Sequence, residues 1–138
     1  MNRKNYHISI KAVIVKKDKV LVFRKIKNDM EMYDFPGGRI DEGETIEKGL
    51  ARELKEELGI ENFKIGDLIN AFEWFYYGKK EASLMLLCFR VEADISNIKL
   101  SKEHINLDWI SMENLGKIPK TKINEGLIQT IEKVLTKI

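Results

Sequence analysis

Cysteine, proline and histidine are scarce, with one, two and two of each in 138 residues. The lone cysteine, Cys88, excludes an intramolecular disulfide and gives secretion no support. It lies in the apolar run Leu84-Met85-Leu86-Leu87-Cys88-Phe89, where a small core residue is expected, not a nucleophile. Long hydrophobic runs are lacking too. Met1 to His7 starts basic, but no apolar stretch long enough for a signal peptide or a membrane span follows. Neither sign of charge dominates: 24 basic and 22 acidic residues leave a net charge of +2. That balance excludes an argument from charge for nucleic-acid wrapping or membrane adhesion. No repeat, low-complexity segment or linker interrupts the chain, so one domain over residues 1–138 is expected, cytoplasmic by default.

What is present is patterned. Ile8 to Val15 and Val20 to Ile26 read as strands joined by a polar turn. Residues 27–35 read as a connection that ends in the break Pro36-Gly37-Gly38. From Thr45 to Leu58 the period becomes helical: Ile46, Leu50, Leu54 and Leu58 form one stripe, Thr45 suits an N-cap and Gly59 a C′ position. Phe63 to Tyr77 and Ala82 to Ala93 read as long strands around a Gly78-Lys79-Lys80 turn. A short strand over 105–110, a helical turn near 112–115 and an amphipathic helix over 123–134 complete an α/β sandwich with a mixed sheet.

On the first helix Glu53, Glu56 and Glu57 share one arc beside the leucine stripe. Glu53 and Glu57 repel at i,i+4 by a few tenths of a kcal/mol. Gly49, one turn earlier, costs about 1 kcal/mol of helix propensity. A carboxylate cluster beside bare backbone suits a hard divalent cation and a phosphate, and Arg52 can pair with Glu56 to hold it. The plainer reading is a solvated acidic face.

The residues around the helix favour the first reading. Gly38, Glu44, Arg52, Glu53, Leu54, Glu56, Glu57, Gly59 and Ile60 match, with no departure, the Nudix signature G-x5-E-x7-R-E-U-x-E-E-x-G-U, where U is bulky and aliphatic. Pro36-Gly37 before the box and Glu103-His104 ahead of Trp109-Ile110 are also similar to the family. The resemblance implies a Nudix α/β/α sandwich with a loop–helix–loop active site. It implies that Glu53, Glu56 and Glu57 bind magnesium (or manganese in its place), with Glu44 and the Gly38 carbonyl orienting or completing the coordination. Glu53 is the first candidate for general base, with Glu103, His104 and Asp108 as later-loop candidates.

For the substrate, Arg24 and Arg39 flank the site as phosphate ligands. Period-2 alternation puts Phe72, Trp74 and Tyr76 on one face and Phe75 and Tyr77 on the other, one set for the core and one for stacking. Asn124-Glu125 and Phe35 resemble MutT-like enzymes, which hydrolyse oxidised purine nucleoside triphosphates; Asn124 also reads as an N-cap. Tyr76 instead resembles dinucleoside polyphosphate hydrolases. The leading expectation is hydrolysis of a nucleoside triphosphate to a monophosphate and pyrophosphate. A dinucleoside polyphosphate hydrolase and a non-catalytic nucleotide sensor are the alternatives. Exposed aromatics and strand edges leave room for a homodimer.

Overall fold

The computed structural model describes residues 3–27, 29–75, 83–100 and 105–136. In chain order the elements are β1 (His7–Val13), β2 (Val15–Lys16), β3 (Lys19–Lys27), β4 (Met30–Asp34), β5 (Gly37–Arg39), α1 (Ile46–Leu58), β6 (Phe63–Phe75), β7 (Ser83–Ala93), β8 (Ile105–Ile110), α2 (Met112–Leu115) and α3 (Glu125–Thr136).

One sheet runs β5-β1-β7-β6, with β1 and β7 parallel and the other pairs antiparallel. The second is built on β3, which pairs with β2, β4 and β8, all antiparallel. Backbone bonds from Leu21 N–H to the Ile14 carbonyl and from Ala12 N–H to the Pro36 carbonyl join the strands near the seam between the sheets. Alternation along the strands then divides the core in two. Ile10, Ala12, Leu21 and Phe23 meet Leu50, Leu54 and Leu58 of α1; Val13, Val20, Val22 and Leu86 meet Leu115, Leu127, Ile131 and Val134 of α2 and α3. This is the expected α/β/α sandwich. Each fully buried leucine on α1 contributes about 2 kcal/mol. No helix among the described residues is long and apolar enough to cross a membrane.

Helix α1 starts and stops where its sequence says. Thr45 Oγ1 accepts from Lys48 N–H at 3.2 Å, and Gly59 adopts the left-handed conformation at φ 68°. The Ile60 N–H then returns to the Leu54 carbonyl. The connection expected over residues 27–35 is a correction: it contains β4, which folds back on β3 in the register Ile26↔Glu31. Met30-Glu31-Met32-Tyr33-Asp34 has no β-branched residue, and the tertiary pairing overrides that weak local signal. The Gly78-Lys79-Lys80 turn lies outside the described residues.

Phe72 and Trp74 pack on the core against α3, as the alternation requires. The Phe72 ring lies against Gly126, and a methyl group added there would run into it. Gly126→Ala is therefore expected to push the ring aside and lower stability by about 1–3 kcal/mol, read as a shifted urea midpoint at unchanged slope. Cys88 is fully buried, and burial pushes its thiol up to about 12. It is a core residue.

Candidate active site

The site begins at Gly37 and Gly38. Gly37 has a φ of 126°, and a side chain there would strike the Ile10 carbonyl, so only glycine fits where β5 pairs with β1. Gly38 faces α1: a methyl group added to it would lie 2.6 Å from Glu53 Oε1. The two glycines bring bare backbone against the glutamate arc.

Arg52 organises the arc. Its Nε donates to Glu44 Oε2 at 2.8 Å, Nη1 to Glu53 Oε1 at 2.9 Å, and Nη2 to Glu44 Oε1 and the Arg39 carbonyl, both at 3.0 Å. Glu56, the partner expected from the i,i+4 spacing, is looser at 3.6 Å and 60% exposed. Glu44 also accepts the Asp41 N–H. The Arg52 guanidinium, helped by that N–H, lowers the Glu44 carboxyl to about 2, so the clamp is ionised across the working pH range.

Glu57 is different. It is buried, accepts Gly37 N–H at 2.8 Å, and has Lys25 Nζ 3.9 Å from its Oε2. Burial raises its pKa against the pull of Lys25, the Gly37 N–H and Lys11, with Glu53 adding to the rise. Behind it, Lys11 donates to Asp34 at 2.9 Å. Burial works against the Lys11 charge, but the attraction of Asp34 outweighs it and holds its pKa above the usual value.

Lys11, Lys25 and Asp34 were absent from the sequence-derived site. The one signal was Lys11 itself, a charge within the apolar run from Ile8 to Val15. Gly49 is corrected: it is buried under Ile40 and Glu44, so its missing side chain admits the loop after β5 and exposes no backbone to a ligand.

Among the described residues no three His, Cys, Asp or Glu side chains stand arranged around a metal position. The side chains' partners explain this: Arg52 draws Glu44 and Glu53 together, Glu57 turns inward, and Glu56 points to solvent. The donors still fit a hard divalent cation. Glu53 faces Gly38, which has no side chain to block it, and Glu57, one turn on, accepts the neighbouring Gly37 N–H, with Glu56 on the same arc of the helix.

Other expected site residues are dispersed. Arg39 is exposed next to Gly38. Phe35 is a correction: it is 0% exposed in the core and presents no ring to a ligand. Arg24 and Asp108 pair with each other at 3.6 Å. They share the face of β3 and β8 that carries Val22 and turns toward α2 and α3, opposite the face of Lys25, which argues against Asp108 as the base. A cleft of about 290 Å³ on that face is lined by Tyr33, Asp108, Trp109, Lys117, Pro119 and Lys122. Asn124 caps α3, its Oδ1 accepting Gly126 N–H at 2.7 Å. Tyr76, Glu103 and His104 lie outside the described residues.

The NUDIX domain model matches residues 5–133. The 8-oxo-dGTP diphosphatase of Buchnera aphidicola subsp. Schizaphis graminum is 29% identical over 126 residues, 90% of this chain and 92% of that protein. An RNA pyrophosphohydrolase of Campylobacter jejuni is 34% identical over 80 residues, 55% of this chain and half of its own length. The crystal structure of a MutT protein from Methanosarcina mazei Go1 superposes with a TM-score of 0.78 at 27% identity, covering 96% of this chain and 94% of that one. The family match reaches from β1 into α3, well beyond α1 and its flanking loops, and the chain belongs to the NUDIX family as a MutT-like hydrolase.

Proposed function

We propose that this protein hydrolyses a purine nucleoside triphosphate, an oxidised deoxynucleotide foremost, to the monophosphate and pyrophosphate. The observation that carries the proposal is Arg52 holding Glu53 against Gly38 while Glu57 sits buried one turn on. In this reading Glu53, Glu56, Glu57 and the Gly38 carbonyl hold magnesium, for which manganese substitutes. When bound, the ion neutralises phosphate oxygens and activates a water. Arg52 and Glu44 keep the carboxylates in place, and exposed Arg39 receives the phosphates. Glu53 is the first choice for general base, with Glu103 the alternative. The name of the Buchnera relative supports the oxidised purine; the nucleotide pool makes a cytoplasmic setting natural, with neither nucleic acid nor membrane as partner.

The test is an assay of 8-oxo-dGTP, dGTP, ATP and diadenosine tetraphosphate with magnesium, products separated by anion exchange. The expected result is fastest turnover of 8-oxo-dGTP with pyrophosphate released. Preference for diadenosine tetraphosphate would move the assignment to dinucleoside polyphosphates. Nucleotide binding with no product in either metal would make the protein a sensor.

A further inference from the structure

We infer that Lys11 is a positioning residue of this active site, fixing the Gly37–Gly38 backbone against Glu57 from the seam between the two sheets. The inference rests on the hydrolytic reading given above.

The Lys11 side chain is 6% exposed. An ammonium group in such a place costs several kcal/mol unless its donors are matched. It has three donors and three acceptors: Asp34 Oδ2 at 2.9 Å, the Gly37 carbonyl at 3.3 Å and the Phe35 carbonyl at 3.4 Å. Two of these belong to the strand entry that carries the glycines. Gly37 is thereby gripped at both ends, its carbonyl by Lys11 and its N–H by Glu57 at 2.8 Å. The Gly37 carbonyl and the Gly38 N–H share one peptide plane, so Lys11 also sets the attitude of Gly38.

The grip closes into a ring. Asp34 Oδ1 accepts Phe35 N–H at 2.8 Å, while its Oδ2 lies 3.7 Å from Lys25 Nζ. That Lys25 ammonium reaches Glu57 at 3.9 Å. Lys11, Asp34, Lys25 and Glu57 thus alternate in charge around the Gly37 backbone. A buried ion pair is a poor source of stability, because apolar residues of similar volume often serve as well or better. Strands β1 and β5 already pair through backbone bonds. What an apolar residue at position 11 would not supply is a donor to the Gly37 carbonyl.

The experiment compares wild type, Lys11→Met and the charge-neutral double variant Lys11→Met/Asp34→Asn. It measures kcat and KM for 8-oxo-dGTP with magnesium, thermal midpoints, and amide hydrogen exchange in metal-free protein. Lys11→Met is expected to lower kcat by on the order of 10- to 100-fold with KM within about threefold. Exchange at the Gly37 N–H should quicken at least about tenfold, with α1 and α3 amides nearly unchanged. The double variant should recover the thermal midpoint without recovering kcat or Gly37 protection, and it carries the test if the single variant does not fold. Wild-type protection of Gly37 in both variants, or recovery of kcat and protection in the double variant, overturns the inference. If wild type turns over no nucleotide, the hydrolytic reading fails, while the exchange measurement still decides the part played by Lys11.

Discussion

Glu57→Gln is expected to lower turnover of the preferred nucleotide about a thousandfold, because one carboxylate of the metal site accounts for several kcal/mol of charge stabilisation. The substitution keeps the shape of the side chain and the oxygen that accepts Gly37 N–H, so the fold should survive. It should even gain at neutral pH. The Glu57 pKa is raised by burial above its ordinary 4.5. Between 4.5 and that raised value the folded protein keeps a proton that the unfolded chain has lost, and stability therefore falls as pH rises through this window. Above it, the buried charge is a standing cost that glutamine lacks. Thermal melts from pH 4 to 8 check this. A glutamine variant less stable than wild type at pH 7, or equally active, contradicts the account.

Arg52→Met should cost on the order of a hundredfold in kcat, since misplacing reactive groups by about an ångström has that effect. Arg52 joins Glu44, Glu53 and the Arg39 carbonyl through four hydrogen bonds, and methionine replaces none of them. Arg52→Lys should restore little, because one ammonium lacks the planar fork that serves three partners. A pH signature accompanies the loss. The depressed Glu44 pKa means its contribution to stability is present above the ordinary carboxylate value and disappears as pH falls toward about 2. The stability gap between wild type and Arg52→Met should be open at pH 7 and close in acid. Steady-state kinetics and denaturation at several pH values read both effects; full activity in Arg52→Lys would show that charge alone suffices.

These predictions draw on a site that was only partly legible in the sequence. Helix α1 was readable because its signals are local: leucines every fourth residue, Thr45 at one end, Gly59 at the other. The glutamate arc followed from the same period. Strand β4 forms by pairing with β3, and its five residues, with Tyr33 but no β-branched side chain, carry too weak a local signal to mark it. Neighbouring Pro36-Gly37 marks a turn but not which way the Phe35 ring points, and the ring lies buried in the core. Arg24 and Lys25 are neighbours in sequence on opposite faces of β3, and only the pairing of the sheets tells which of them faces Glu57. Lys11 was hidden for the same reason, its partner Asp34 lying 23 positions away on the other sheet. Motif residues close in sequence, Arg52 among them, are visible there; Lys25 and Lys11, which reach Glu57 and the Gly37 carbonyl from other strands, are supplied by tertiary contacts.

The central claim is that the glutamates of α1 hold a divalent ion for diphosphate hydrolysis. Calorimetric titration of manganese and magnesium into wild type, Glu53→Gln and Glu56→Gln tests it most directly. Saturable binding in wild type that weakens at least about tenfold in each variant is the expected result. Equal binding in all three proteins, or none in wild type, would contradict it.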